Sequence, residues 1–128
     1  RAAGEMAYRT AGIKSPREEI DFAEIDDTFA YKELQHTEAL GLCPPGAAGE
    51  WTLAGGTALT GEFPINPSGG ALGQGHLLDA TGMARVLEVV LQLRGEAGQR
   101  QIEGVETGLA FGWRGVPTTG GAAVVLGN

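Results

Sequence analysis

The chain has 128 residues, and its size, composition and charge exclude several classes of protein. A chain of this length forms one domain around a single core, so it cannot hold two complete domains. Hydrophobic residues make up 42% and charged residues 20%, a balance typical of a globular domain. Nine basic against sixteen acidic residues give a net charge of −7, which argues against a nucleic-acid partner.

Glycine and acidic residues are unevenly used. Glycine occupies 22 of the 128 positions, well above its usual share of about 7% of residues. The backbone is therefore expected to turn tightly or to approach other groups closely at many points. Six of the ten residues from Glu18 to Asp27 are carboxylates, and we predict a solvated acidic edge there.

Cysteine and histidine are scarce. Cys43 is the single cysteine and the two histidines are far apart in sequence, which predicts no disulfide, no metal site and a cytoplasmic location. No apolar run is long enough for a membrane span. The chain begins with arginine, which predicts a fragment or processed piece.

The first third of the chain shows alternating helix and strand signals. The apolar spacing predicts a helix over residues 2–12, then a strand from Ile20 to Ile25 that alternates buried and exposed side chains. A second helix follows, capped by Asp26 or Asp27 and ended by Gly41. We expect its buried face to hold Phe29, Ala30, Leu34 and Ala39, and we place His36 on the surface.

The rest of the sequence, from residue 43 onward, predicts one long helix between strands. Residues 43–61 form a surface excursion anchored by Trp51 and Leu53, and a short strand at Phe63–Asn66 precedes a glycine-rich loop over 67–76. The helix from Ala80 to Leu93 is apolar nearly all round, which predicts burial between layers. Strands at 104–112 and 121–127 follow, joined by a turn over 114–120, and the last is expected to be a central strand. This order predicts a layered α/β fold.

The glycine-rich loop fits neither phosphate-binding motif. A P-loop needs Lys and Ser or Thr after its last glycine, but Gly75 is followed by His76 and Leu77. A dinucleotide fingerprint starting at Gly73 needs a small residue at 78, which is leucine. Ser68 lies outside a nucleophile elbow, which disfavours an esterase. A nucleotide-binding module is therefore the weaker interpretation.

His76 is the candidate catalytic residue. It ends the loop shortly before the long helix, whose N-terminal backbone N–H groups and dipole favour developing negative charge. A neutral imidazole there can donate a hydrogen bond to an oxyanion. A lone histidine is also often structural, and its position leaves both roles open.

Several ordered segments together resemble the C-terminal catalytic domain of the thiolase family, and within it the sterol-carrier-protein-x or lipid-transfer-protein thiolases. They are the run from Asn66 to His76, Ala80-Thr81-Gly82, the helix end at Gln92–Gly95, the stretch from Ala23 to Ala30 and the closing strand from Gly120 to Leu126. The resemblance covers nearly the whole chain. It implies a thiolase-like α-β-α-β-α layered half over residues 1–128, with a mixed sheet covered by helices, packed against an N-terminal half that is absent here.

The resemblance also implies a shared active site. The nucleophilic cysteine belongs to the N-terminal half and is not matched by Cys43, so this chain alone is expected to be inactive. His76 matches the loop histidine that activates that cysteine and helps form an oxyanion hole. Gly69, Gly70 and Gly75 would let the backbone approach the thioester or its pantetheine arm, and Phe29 would also lie in the substrate site.

The sequence departs from the family at positions that matter for chemistry. Where the family has Asn-Glu-Ala-Phe or His-Asp-Cys-Phe, this chain has Asp26-Asp27-Thr28-Phe29, and an ionised Asp26 cannot donate a hydrogen bond. Leu77 and Asp79 replace the usual Pro and Gly. The Cys-x-Gly acid/base motif is missing, with Phe111-Gly112-Trp113 in that region. Asp26 could act instead as the acid/base, or it could cap the second helix; Tyr31 could assist an aldol cleavage, or could simply pack.

These residues together predict the C-terminal catalytic half of a thiolase-like acyl-CoA acyltransferase, with a coenzyme A thioester as substrate and no cofactor or metal. Two alternatives stay open: an aldolase or retro-aldolase acting on acyl-CoA, and a non-catalytic scaffold with the thiolase fold. The expected partners are acyl-CoA, an N-terminal thiolase half in the same or a separate chain, and further copies in a homo-oligomer.

Overall fold

A computed structural model of the chain describes residues 1–115 and 120–128. The helices in these residues are α1 (Ala2–Ala11), α2 (Pro16–Glu19), α3 (Ala30–Ala39), α4 (Ala48–Leu53), α5 (Gly70–Gln74) and α6 (Thr81–Leu93). The strands are β1 (Phe22–Glu24), β2 (Thr107–Arg114) and β3 (Gly120–Gly127). Short 3-10 turns occupy Leu78–Ala80 and Gly98–Arg100. The predicted turn over 114–120 includes residues 116–119, which lie outside the described residues.

The strands form one mixed sheet in the order β1-β2-β3. β1 runs parallel to β2, with Phe22 opposite Gly108, and β3 runs antiparallel to β2, with Leu109 opposite Val125. The strand predicted at Phe63–Asn66 is reduced to an isolated parallel bridge between Ala23 and Ile65. The mixed sheet with its helices confirms the α/β class.

The core lies on both faces of the sheet because successive side chains of β1 and β2 point to opposite sides. One face carries the larger cluster, which includes Tyr8 of α1, Phe63 and Leu109. The other face carries a smaller cluster of Phe22, Val89 and Ala110, covered by α6. Helices α1 and α6 therefore cover opposite faces of one sheet.

Two strand predictions were wrong. We predicted that the strand from Ile20 to Ile25 would expose alternate side chains, but all three residues of β1 are buried. β3, predicted to be central, is an edge strand, and all of its residues are exposed or half-buried. A continuous run of small apolar residues does not distinguish an edge strand from a central one, because pairing partners are set by the topology.

Helix α6 turns its charged side chains inward. Its buried residues are Thr81, Arg85, Glu88, Val89 and Gln92. Met83 and Leu87, which we expected between layers, are 69% and 57% exposed. The prediction that every face of α6 is buried was wrong. The polar side chains of α6 find hydrogen-bond partners inside this chain, whereas no described residue packs over its exposed apolar side chains.

The second helix also differs from its prediction. Phe29 is the N-cap of α3 and no side chain caps the helix, so neither Asp26 nor Asp27 has that role. Phe29 and Ala30 are exposed, and the buried residues of α3 are His36 and Thr37. In the following segment an unpredicted helix, α4, forms; Trp51 packs against the core, but Leu53 is 90% exposed and anchors nothing.

Close packing between β2 and α6 requires glycine at position 108. A Cβ there would lie 2.7 Å from both Val89 Cγ1 and Phe22 Cζ. Because these neighbours are buried, we expect Gly108→Ala to lower the free energy of unfolding by about 1–3 kcal/mol. Gly112→Ala, on the same strand, is the matched control, since its Cβ would meet only Gly82 Cα at 3.7 Å. Urea unfolding of both variants checks this, and equal losses would contradict it.

Candidate functional site

An open cleft of about 940 Å³ lies where the parallel strands β1 and β2 end. In open α/β sheets ligands bind beyond the carboxyl ends of the strands, where loops and helix N-termini meet. The cleft brings together three of the predicted site residues, Asp26, Phe29 and His76. Thr81 and Gly82 at the start of α6, and Trp113 and Arg114 at the end of β2, also line it.

His76 is exposed, and one ring nitrogen already has a partner. Its Nδ1 accepts a hydrogen bond from the backbone N–H of Leu78 at 3.0 Å. A neutral imidazole that accepts at Nδ1 carries its proton on Nε2, so Nε2–H is the remaining donor. The loop beyond it is fixed by Thr81, whose Oγ1 accepts from Leu77 N–H at 3.0 Å and donates to the carbonyl of Leu78 at 2.9 Å.

Asp26 forms the floor of the cleft. Its side chain is 4% exposed, and its oxygens accept from the backbone N–H and hydroxyl of Thr28 at 3.3 and 3.4 Å. Oδ2 also lies 3.3 Å from Nη2 of Arg85. The carboxylate is thus held in one place by a local turn and by a cation from α6.

Arg85 is a site residue that the sequence analysis missed. Its guanidinium lies between two carboxylates, with Nη2 at 3.3 Å from both Asp26 Oδ2 and Asp27 Oδ1, and its Nε donates to the carbonyl of Ile25 at 3.1 Å. A buried cation requires such partners because desolvation is costly. The available signal was a lone arginine in an apolar helix, close in the fold to a strongly acidic segment.

Asp27 fastens the glycine-rich loop. Its two oxygens accept the backbone N–H groups of Ala71 and Leu72 at 2.8 and 3.1 Å. Gly70 has φ +60°, and a Cβ at this position would overlap the Asp27 carboxylate. The absence of a side chain at Gly70 therefore makes room for Asp27.

The three predicted loop glycines do not line the cleft with His76. Gly70 and Gly75 line a separate, smaller cavity of about 260 Å³, together with Glu24, Ser68 and buried charged groups. Gly69 lines neither, and is the N-cap of α5. Their predicted contact with a thioester stays a prediction.

Glu24 is buried in the wall of that smaller cavity. Its Oε1 accepts the backbone N–H of Ser68 at 2.9 Å and its Oε2 accepts the Ser68 hydroxyl at 2.8 Å. Burial raises the pKa of Glu24 to about 7, against the lowering effect of the two Ser68 hydrogen bonds; nearby Glu88 raises it further and Arg85 lowers it.

The predicted acidic edge is therefore divided in two. Its first three carboxylates, Glu18, Glu19 and Asp21, are exposed as expected. Its last three, Glu24, Asp26 and Asp27, are buried, which contradicts the prediction of a solvated run. They can be buried because Arg85, Ser68 and the α5 backbone supply hydrogen-bond donors.

His36 is buried, not on the surface as predicted. Its Nδ1 lies 2.8 Å from the carbonyl oxygen of Asp26, and since a carbonyl only accepts, Nδ1 carries the proton. The ring packs edge-on against Phe111 at 5.0 Å. Burial lowers the pKa of His36, although the Asp26 carbonyl acts in the opposite direction. His36 thus supports the backbone of Asp26 from behind the cleft.

The other candidates lie at or outside the rim. Phe29 lines the cleft and stacks on Tyr31 with ring centroids 5.7 Å apart, but Tyr31 does not line the cleft itself. Cys43 is a half-buried free thiol that lines neither the cleft nor the smaller cavity. Within residues 1–115 and 120–128, no three His, Cys, Asp or Glu side chains converge to hold a metal ion. In the same residues no helix has the length and apolar character needed to cross a membrane.

Comparison with known proteins agrees with this geometry. Residues 1–128 match the family model described as "Thiolase C-terminal domain-like". The chain is 42% identical to rabbit (Oryctolagus cuniculus) "Sterol carrier protein 2" over 96% of its length, and 43% identical to "Acetyl-CoA acetyltransferase" of Methanothermobacter thermautotrophicus over 98%. A solved structure named "Ltp2-ChsH2(DUF35) aldolase" superposes with a TM-score of 0.82 at 28% identity, covering 98% of this chain.

The chain therefore belongs to the thiolase family, in its C-terminal domain-like group. It spans 21% of the rabbit protein, 30% of the archaeal one and 31% of the solved chain. The resemblance inferred from several ordered segments, among them the glycine-rich loop and the stretch from Ala23 to Ala30, is confirmed at the level of family and fold.

Because the pKa of Glu24 is raised in the folded protein, the free energy of unfolding should depend on pH. The folded protein binds this proton more tightly than the unfolded chain, whose carboxyl has the ordinary value of 4.5, so the parent loses stability as the pH rises from 4.5 to about 7. Glu24→Gln does not titrate, and its stability relative to the parent should rise through this window, by up to about 3 kcal/mol. Urea unfolding across the window checks this; Glu18→Gln, at an exposed carboxylate, should track the parent throughout.

A second prediction about stability concerns the backbone of Leu78. Leu78 is one of two non-glycine residues with positive φ among those described. It has φ +52° and is 79% exposed. Left-handed backbone costs an L-residue roughly 1–2 kcal/mol, and asparagine tolerates it better. We expect Leu78→Asn to raise the free energy of unfolding by about 1 kcal/mol. Leu77→Asn, at φ −91°, should give no gain, and an equal gain there would contradict the argument.

Proposed function

We propose that this chain is the C-terminal catalytic half of a thiolase-like acyl-CoA acyltransferase, of the acetyl-CoA acetyltransferase or lipid-transfer-protein type. The observation that carries the proposal is that His76, whose Nδ1 accepts the Leu78 N–H, lies in one cleft with the buried carboxylate of Asp26. Its 43% identical relative named "Acetyl-CoA acetyltransferase" supports the same activity.

His76 would act on the thioester oxygen. When a cysteine thiolate attacks the thioester carbonyl, an electron pair moves onto that oxygen, and Nε2–H of His76 would donate to it. The coenzyme A thiolate would then leave, and the acyl group would remain on the cysteine. The N-terminus of α6 follows His76 closely and its dipole would add to the stabilisation.

Asp26 would move the second proton. Condensation removes a proton from the α-carbon of the incoming acyl group, and an ionised carboxylate facing the cleft can accept it. Arg85 and Thr28 hold that carboxylate in one orientation. Phe29, half-exposed on the cleft wall, would contact the substrate.

The nucleophile would come from an N-terminal thiolase half, in the same protein or in a separate chain. Five large apolar side chains are exposed on α5, on α6 and in the segment between them: Leu72, Leu77, Leu78, Met83 and Leu87. An exposed apolar patch of this kind is typical of an interaction site, and we infer that the N-terminal half covers it. The complete enzyme would be a cytoplasmic homo-oligomer that takes its coenzyme A thioester without a further cofactor.

A carbon–carbon lyase acting on acyl-CoA is the second candidate. The segment Asp26-Asp27-Thr28-Phe29 offers neither the thiol nor the neutral hydrogen-bond donor that the thiolase family has at these positions. The solved relative at 28% identity is named an aldolase. In a retro-aldol cleavage Asp26 would take the hydroxyl proton of a 3-hydroxyacyl-CoA. The carbon–carbon bond would break, and His76 would stabilise the resulting enolate oxygen.

Substitution of His76 tests both candidates. In the protein isolated with its N-terminal half, His76→Ala should lower kcat by about a hundredfold to a thousandfold, the usual effect of losing an oxyanion donor. Gln99→Ala, exposed in a turn outside the cleft, is the control and should retain full turnover.

The substrate decides between the candidates. Thiolysis of a 3-oxoacyl-CoA by coenzyme A supports the acyltransferase, and release of an aldehyde or ketone from a 3-hydroxyacyl-CoA supports the lyase. Turnover that His76→Ala leaves undiminished would overturn both. A protein that consumes neither substrate would instead be a non-catalytic scaffold with the thiolase fold.

A further inference from the structure

Residues at the end of β1 and just after it form hydrogen bonds with the glycine-rich loop that ends at His76. Glu24, the last residue of β1, binds the loop at Ser68, and Asp27 binds it at the start of α5. Asn66 adds a third connection, because its Oδ1 accepts the backbone N–H of Ile25 at 2.7 Å. These contacts set where the loop begins.

Ser68 transmits the contact with Glu24 along the loop. Besides its two bonds to Glu24, its Oγ accepts the backbone N–H of Gly70 at 3.0 Å, and its carbonyl accepts from Nε2 of Gln74 at 2.6 Å. Gln74 ends α5 and is separated from His76 by one residue, Gly75. The segment from Ser68 to Gln74 is thereby closed into one hydrogen-bonded unit that ends next to His76.

We propose that Glu24 is a positioning residue for His76, and that its ionised carboxylate is the form that holds the loop in the catalytic arrangement. The inference rests on the proposed function for the role of His76 in turnover. Glu24 itself is 1% exposed and does not line the cleft, so it acts through Ser68 and does not contact the substrate.

Protonation of Glu24 changes the bonds that it can make. An ionised carboxylate accepts both hydrogens of Ser68, one at each oxygen. With a proton on Oε2, that oxygen becomes a donor to Ser68 Oγ, and the hydroxyl hydrogen of Ser68 loses its acceptor. Oε1 still accepts the Ser68 N–H, but as a neutral acceptor, so both charge-assisted bonds, which are the stronger ones, are replaced by weaker ones.

The surroundings of Glu24 place this change near neutral pH. Arg85 and Glu88 face it from α6, and Arg100, bound to Glu88 at 2.8 Å, adds a second cation beyond them. Against these groups burial dominates and raises the pKa of Glu24 to about 7. The hydrogen bonds between Glu24 and Ser68, which we call the hold on the loop, should therefore strengthen as the pH rises through neutrality.

Glu24→Gln tests the inference because it keeps the size of the side chain and fixes the neutral arrangement at every pH. In the protein isolated with its N-terminal half, we expect kcat to fall by about tenfold to a hundredfold, the effect of a slightly misplaced catalytic group. KM should be nearly unchanged. The rise of kcat with pH near 7 in the parent should be absent in the variant.

Stability separates positioning from a merely structural role. Glu24→Gln should be slower than the parent and yet more stable above neutral pH, whereas loss of a structural residue lowers both quantities. Glu88→Gln is the matched control, since Glu88 is a buried carboxylate of the same cluster that has no bond to the loop. It should change stability without changing kcat well above pH 7, where Glu24 is ionised in both proteins.

Ser68→Ala provides a second variant that breaks the same connection from the other side. Its loss of kcat should be less than additive with that of Glu24→Gln in the double variant, because both remove the bond between the Ser68 hydroxyl and the ionised Glu24, and only the Gly70 bond is specific to Ser68→Ala. Additive losses, or full kcat and an unchanged pH profile in Glu24→Gln, would overturn the inference.

Amide hydrogen exchange of the 128-residue chain tests the hold on the loop without turnover. Protection of the Ser68 and Gly70 amides should rise with pH through neutrality in the parent and stay flat in Glu24→Gln. That result in a protein without activity would sink the proposed function and leave the hold on the loop standing. Equal protection in both proteins at every pH would overturn the role of Glu24.

Discussion

The ion pair that Arg85 makes with Asp26 and Asp27 joins helix α6 to the end of strand β1, and the cleft depends on this junction. Asp26 forms the floor of the cleft, Asp27 holds the glycine-rich loop, and α6 begins just after His76. One guanidinium thus connects the three segments that form the site. A buried cation with two carboxylates tolerates few alternative arrangements, since each would leave a charge unpaired in a desolvated place.

The distribution of polarity follows from the same constraint. In most surface helices the apolar face turns inward, but α6 buries Arg85, Glu88 and Gln92 and exposes Met83 and Leu87. The inner groups all find hydrogen-bond partners, and no buried side-chain polar atom among the described residues is left without one. This distribution is typical of a domain whose outer apolar face packs against another domain, in agreement with our proposal that an N-terminal thiolase half covers it.

Prediction from the sequence succeeded where a local signal was sufficient. The spacing of α1 and α6 and the α/β class agree with the structure. His76, Asp26 and Phe29 line one cleft, and their catalytic and substrate-binding roles stay predictions. Prediction failed for the position of β3, the burial of His36 and the orientation of α6. Each of these depends on which distant segment lies alongside, and neither periodicity nor composition carries that information.

The sequence by itself determined the family, the main helices α1, α3 and α6, the three strands and the place of the loop histidine, because motif spacing and apolar periodicity are local properties of a chain. The tertiary structure alone decided that Glu24, Asp26 and Asp27 are buried and that each has a different task. Charged side chains leave water only when specific donors converge on them. Arg85, Ser68 and the α5 amides, separated from them by about forty to sixty residues of sequence, converge there only in the folded chain.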